Sequence, residues 1–148
     1  MSFVLVFAEV IFCVEEMTEL ERNSINQLSY EIIACAMRVH NFLGPGLLES
    51  VYEKAMMIEL RKAGLQAKNQ QKVDIVYAGE PLGVDLKLDI IVNDLVIVEL
   101  KSVEELMPVH HKQLFTYLKL TDKPLGLLVN FNVNDIRSGI KRVAYKMR

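Results

Sequence analysis

The sequence predicts a single α/β (α+β) domain: a mixed central sheet flanked by helices. Three observations carry that expectation. The chain has 148 residues and is 51% hydrophobic, the size and apolar content of one domain with a buried core. Two segments with helical periodicity precede three β-rich segments, and a further helix precedes the last two. The β-rich segments are joined by turn signals at Ala78-Gly79-Glu80-Pro81 and Asn93-Asp94, so the sheet is built around hairpins with helices packed on it.

Asn23 or Ser24 is a candidate cap for the first helix, in which Ile32, Ile33, Ala36, Met37, Val39 and His40 follow at helical spacing. Leu43-Gly44-Pro45-Gly46 breaks it. A second helix is expected over about Leu47–Ala63, with Leu48, Val51, Ala55, Met56 and Ile58 on one side and Gly64 closing it. Strands are expected over Lys72–Tyr77, Val84–Val92 and Leu95–Leu100, then a helix over Val109–Leu120. Leu125–Asn130 reads as a short buried strand and Ile140–Tyr145 as an edge strand.

The domain is expected to occupy residues 24–148, with residues 1–23 an apolar N-terminal extension. The extension has no basic n-region and Glu9 interrupts its apolar run, which argues against a signal peptide, and the run is too short to span a bilayer. An extra strand, a partner contact, a homo-oligomer interface or a misassigned start all fit it. Cys13 and Cys35 lie in no CxxC or Cys/His cluster, so a reduced, cytoplasmic setting without a membrane is expected. The net charge of −2 is unevenly spread. From His111 onward Lys112, Lys119, Lys123, Arg137, Lys141, Arg142, Lys146 and Arg148 face only Asp122 and Asp135 in acidic count. Such a segment can steer a phosphate backbone, or it can be a solvated face.

The chemistry is concentrated in Leu86–Lys101. With Asn93-Asp94-Leu95 as a three-residue loop, Val92 pairs with Val96, Ile90 with Val98 and Leu88 with Leu100, which makes one wholly apolar face. The other face pairs Ile91 with Ile97, Asp89 with Glu99 and Lys87 with Lys101. A two-residue loop would mix the faces, so the pattern selects the longer one. Opposed side chains have Cβ atoms roughly 5 Å apart. Two carboxylates at that spacing repel unless a divalent cation lies between them, and oxygen ligands on rigid strands suit Mg²⁺ or Mn²⁺. Lys101, on the same face, can stabilise phosphoryl charge or orient a water. A surface hairpin with cross-strand salt bridges is the competing reading, but Ile91 and Ile97 on that face imply that it is covered.

Gln113 and Tyr117, at i and i+4, share a helical face and could present an amide and a phenol to the site. Glu49 lies in the first turn of the second helix, inside Gly46-x-x-Glu49-x-x-Tyr52. His40, His110 and His111 lack zinc-site spacing; His110 alone is a candidate neighbour of the cleft.

Gly46-x-x-Glu49-x-x-Tyr52 resembles the motif of the GxxExxY protein family, a bacterial and archaeal group within the PD-(D/E)XK nuclease superfamily. The segments Ile32–His40, Gly44–Tyr52, Val96–Lys101 and Leu125–Phe131 also look like its blocks, and the resemblance spans roughly Leu28–Val143. It implies a restriction-endonuclease-like fold, with Asp89 as the metal-binding aspartate, Glu99 and Lys101 as the (D/E)xK pair and Glu49 as the helical acid completing a Glu49/Asp89/Glu99 metal set. Gln113 and Tyr117 resemble the QxxxY motif of exonuclease-like branches. His111-Lys112 departs from the family, whose members often carry an acidic residue after the position of His110. The implied activity is Mg²⁺- or Mn²⁺-dependent phosphodiester hydrolysis on DNA or RNA. The alternatives are a catalytically silent nuclease-fold module binding nucleic acid or a protein partner, and a small oligomerising protein.

Overall fold

The computed structural model describes residues 16–147. The apolar segment read as an extra strand or interface lies, up to residue 15, outside them. Helix α1 covers Glu19–Leu43 and α2 covers Glu49–Lys62. Strands β1 (Ala67–Tyr77), β2 (Glu80–Val92) and β3 (Val96–Lys101) follow, then α3 (Pro108–Thr121), β4 (Leu125–Asn130), a 3₁₀ turn (Ile136–Gly139) and β5 (Ile140–Ala144).

The start of α1 differs from the sequence expectation. Thr18 caps it, not Asn23 or Ser24: the Thr18 hydroxyl accepts from the N–H of Glu21, and the Glu21 carboxylate accepts from the N–H of Thr18. That reciprocal pair satisfies two orphan donors, so α1 begins five residues early and runs through the boundary expected between residues 23 and 24. Gly44, at φ +70°, ends it, and its N–H donates to the carbonyl of His40.

The buried face of α2 is Tyr52, Met56 and Leu60, one turn apart, whereas Leu48, Val51 and Ile58 are exposed. Of the expected stripe, Met56 is buried and Ala55 packs against the core, but Tyr52 and Leu60 were not in it, because the anchor is a buried tyrosine. The Tyr52 ring stacks on Phe131 with centroids 4.3 Å apart. Its hydroxyl donates to the carbonyl of Gly44 (2.6 Å) and accepts from the N–H of Leu47 (3.1 Å). The tyrosine therefore pins the Gly44-Pro45-Gly46 turn and sets where α2 begins.

The five strands lie in the order β1-β2-β3-β4-β5. β3 and β4 are parallel, joined by α3, and every other neighbouring pair is antiparallel. Helices α1 and α2 cover one face through Ile32, Val39 and Met56 against Ile90, Val98 and Val129. Helix α3 covers the other through Leu114 and Leu118 against Ile97 and Leu128. This is an α+β fold with a mixed sheet between helices, consistent with a restriction-endonuclease-like architecture. Beyond Asp74 and Asp85 the β1–β2 hairpin is largely exposed. Among the described residues no helix is long and apolar enough to cross a membrane.

Candidate functional site

The β2–β3 hairpin adopts the expected register, with Val92 opposite Val96, Ile91 opposite Ile97 and Ile90 opposite Val98. Below Ile90 the two strands fork, and Leu88 and Leu100 do not pair. Leu100 stays with Ile90 and Val98 beneath α1 and α2, but Leu88 crosses to the α3 face beside Ile91 and Ile97. The apolar face expected to include both leucines is thus broken between Leu88 and Ile90. Two side chains occupy the fork in place of ladder bonds. The N–H of Asp89 donates to Glu99 Oε1 (3.2 Å), and the N–H of Leu100 donates to Asp89 Oδ2 (2.9 Å). A regular ladder would have used those donors on backbone carbonyls. Here they hold two carboxylates against each other.

The electrostatics follow from that enclosure. Glu99 is 6% exposed. Burial, and after it the negative charge of Asp89, pushes its pKa up to about 8, while Lys101 and the N–H of Asp89 pull the other way. Burial also raises Asp89, opposed by the N–H of Leu100 and the charge of Lys101. Burial and mutual repulsion thus both favour a proton on the pair, and the stronger pull on it is at Glu99, the more enclosed of the two. A divalent cation could take the place of a proton there, and a fixed pair of carboxylates, one buried and one half-buried, suits a hard one.

Lys101 ends β3 beside Asn130 of β4 and is half-buried, within reach of both carboxylates' fields. Its backbone is held firmly, since its carbonyl accepts from the N–H of Phe131 (2.9 Å). The buried Asn130 side chain clamps the turn that follows, accepting from the N–H of Val103 (3.1 Å) and donating to its carbonyl (2.9 Å). Sequence reasoning passed over Asn130; an asparagine ending an apolar strand beside the (D/E)xK pair was the available signal.

Glu49 is not gathered with Asp89 and Glu99. It is exposed, and its Oε1 accepts from the N–H of Ser102 (3.3 Å), while the Ser102 hydroxyl donates to the carbonyl of Leu47 (2.6 Å). Among the described residues no three or more His, Cys, Asp or Glu side chains are close enough to hold a metal, so the expected trio is present as a pair, with the Glu49 carboxylate held apart at the N–H of Ser102. A fourth, Glu53, lies one turn along α2, and its charge contributes to raising Asp89. Nothing in the motif singled it out except its i+4 spacing from Glu49.

On α3, Tyr117 is half-buried and its phenol is lifted above its ordinary range by burial, then by the charges of Glu99 and Asp89, so it lies within range of the carboxylates. Gln113 is exposed on the same helical face, one turn nearer the N-terminus, and makes no side-chain hydrogen bond among the described residues. His110 is spent locally, its Nδ1 accepting from the N–H of Met107 (3.0 Å) at the start of α3. His40, read as ordinary, is a buried strut whose Nε2 meets the carbonyl of Val133 at 2.7 Å. The C-terminal basic excess is partly neutralised: Lys123 pairs with Asp94, Arg137 with Asp135 and Lys146 with Asp122. Lys112, Lys119 and Lys141 stay exposed.

A comparison with curated proteins and another with solved structures found no match. A comparison with protein-family models did. The family model PDDEXK_3, described as PD-(D/E)XK nuclease superfamily, matches residues 26–143, a span running from α1 to β5 that holds Asp89, Glu99 and Lys101. With a carboxylate pair at a forked hairpin, a lysine two residues on and a mixed sheet between helices, the chain belongs to the PD-(D/E)XK nuclease superfamily.

Proposed function

We propose that the protein is a GxxExxY-type nuclease that hydrolyses phosphodiester bonds of DNA or RNA with Mg²⁺ or Mn²⁺. The observation that carries this is the enclosed Asp89–Glu99 pair, Glu99 buried and Asp89 half-buried, with Lys101 on the same strand as Glu99. A surface hairpin would leave those carboxylates solvated and their titration ordinary. Asp89 and Glu99 would hold the ion, and Glu49 would join them after releasing the N–H of Ser102. The bound ion would supply a water of lowered pKa and neutralise phosphate charge. Lys101 would hold the attacking water or the scissile phosphate by hydrogen bonding, and the Tyr117 phenol would donate to a phosphate oxygen. Gln113 would orient the nucleic acid at the mouth of the site.

Titration of Mn²⁺ into the purified protein, beside cleavage assays on single- and double-stranded DNA and RNA, tests the proposal. Binding in the micromolar-to-millimolar range with cleavage supports it. Absence of both at millimolar Mn²⁺ refutes it and leaves the silent binding module in its place.

A further inference from the structure

The fork at Asp89 is matched by a defect on its other side. In the β1–β2 ladder Asn69 pairs with Ile90 and Gln71 with Leu88, but Gln70 and Asp89 between them form no pair. Gln70 has φ +49°, a left-handed conformation that glutamine rarely adopts without something holding it. The holding group is visible. The Asn69 amide donates to Glu53 Oε1 (2.9 Å) and the Gln70 amide to Glu53 Oε2 (2.6 Å), so one carboxylate on α2 grips two consecutive side chains of β1. Opposite that grip Asp89 is without a strand partner on either side, and the chain changes face between Leu88 and Ile90.

We infer that Glu53 is a positioning residue: by clamping Asn69 and Gln70 it holds β1 in the kink that keeps Asp89 out of the sheet ladder and free to meet Glu99. Without the clamp Gln70 would relax toward extended backbone, β1 would zip against β2 through position 89, and Asp89 would turn with it. Glu53 acts through Gln70 and needs no contact with ion or substrate. The inference rests on the metal-site reading for its consequence, but the clamp itself is a property of the apo protein.

The test uses Glu53→Ala, Gln70→Gly and the double variant, each read in two ways. Hydrogen exchange of the Leu100 amide reports whether Asp89 still accepts from it, and Mn²⁺ titration reports the site. Glu53→Ala should speed exchange at Leu100 and weaken Mn²⁺ binding by about tenfold or more, as loss of an orienting partner does. Gln70→Gly in the same chain should recover both in part, because glycine removes the strain of positive φ that glutamine carries there. Gln70→Gly alone should change neither. Unaltered exchange and binding in Glu53→Ala overturns the inference. So does a loss that Gln70→Gly leaves unrestored, since Glu53 would then act on the site through its charge or as an ion ligand and not through β1. If the unaltered protein binds no Mn²⁺, the nuclease reading fails while the exchange result still decides the clamp.

Discussion

Replacing Glu99 by glutamine should stabilise the metal-free protein, and by an amount that grows with pH. Glutamine is the shape of the protonated acid: its oxygen can accept from the N–H of Asp89 and its amide can donate to the Asp89 carboxylate, the two interactions a neutral Glu99 makes. The native glutamate instead binds its proton more tightly folded than unfolded, with a pKa raised from 4.5 to about 8. Folded Glu99 is thus favoured below pH 4.5, and that advantage is lost as pH rises toward 8. At about 1.4 kcal/mol per pKa unit, the loss reaches about 3 kcal/mol at pH 7, about 5 kcal/mol at pH 9 and under about 1 kcal/mol at pH 5. Glu99 is 6% exposed, so solvent screening removes little of this. These figures are ceilings, since Asp89 titrates with it. Urea denaturation in EDTA at those three pH values, on both proteins, measures the gap. A gap that widens with pH supports the reasoning. A gap that stays constant from pH 5 to pH 9 refutes it, because it would mean that Glu99 is not a buried acid holding its proton.

On the proposed metal reading the same proton would govern ion binding. Mn²⁺ would displace it, so affinity should rise by up to about tenfold per pH unit toward pH 8 and level off above; titrations in buffers of different ionisation enthalpy would count the proton released. Lys101→Ala should abolish cleavage yet leave Mn²⁺ binding measurable or tighter, since an ammonium cannot ligate a cation, whereas Asp89→Ala should lose both; equal loss of Mn²⁺ binding in the two variants would contradict the assigned roles. Tyr52→Phe keeps the stack on Phe131 but leaves the carbonyl of Gly44 and the N–H of Leu47 without their partner, which should cost about 1–3 kcal/mol in thermal or chemical melts, and a change within error would show that the hydroxyl does not hold the turn.

Much of the molecule was written locally. The element order and the β2–β3 register followed from hydrophobic pattern alone, because a one-residue slip would have carried Ile90, Val92, Val96 and Val98 off the core. The same register made neighbours of Asp89 and Glu99, though they meet across the fork and not as a ladder pair. The Thr18-x-x-Glu21 box was also legible and was overlooked in favour of later caps. What the sequence could not decide depends on partners remote in the chain. Whether Leu88 continues the alternation turns on the kink opposite it, and that kink is held from α2 by Glu53, 17 residues before Gln70. Whether Tyr52 or Val51 is the anchor depends on Phe131, which reaches α2 only through the tertiary fold. The pairing of Lys123, Arg137 and Lys146 depends on which acids the turns bring near them. Local spacing determines which residues share a face; only the packing of elements against one another determines which face is covered, where a strand must break, and which charge is left unpaired.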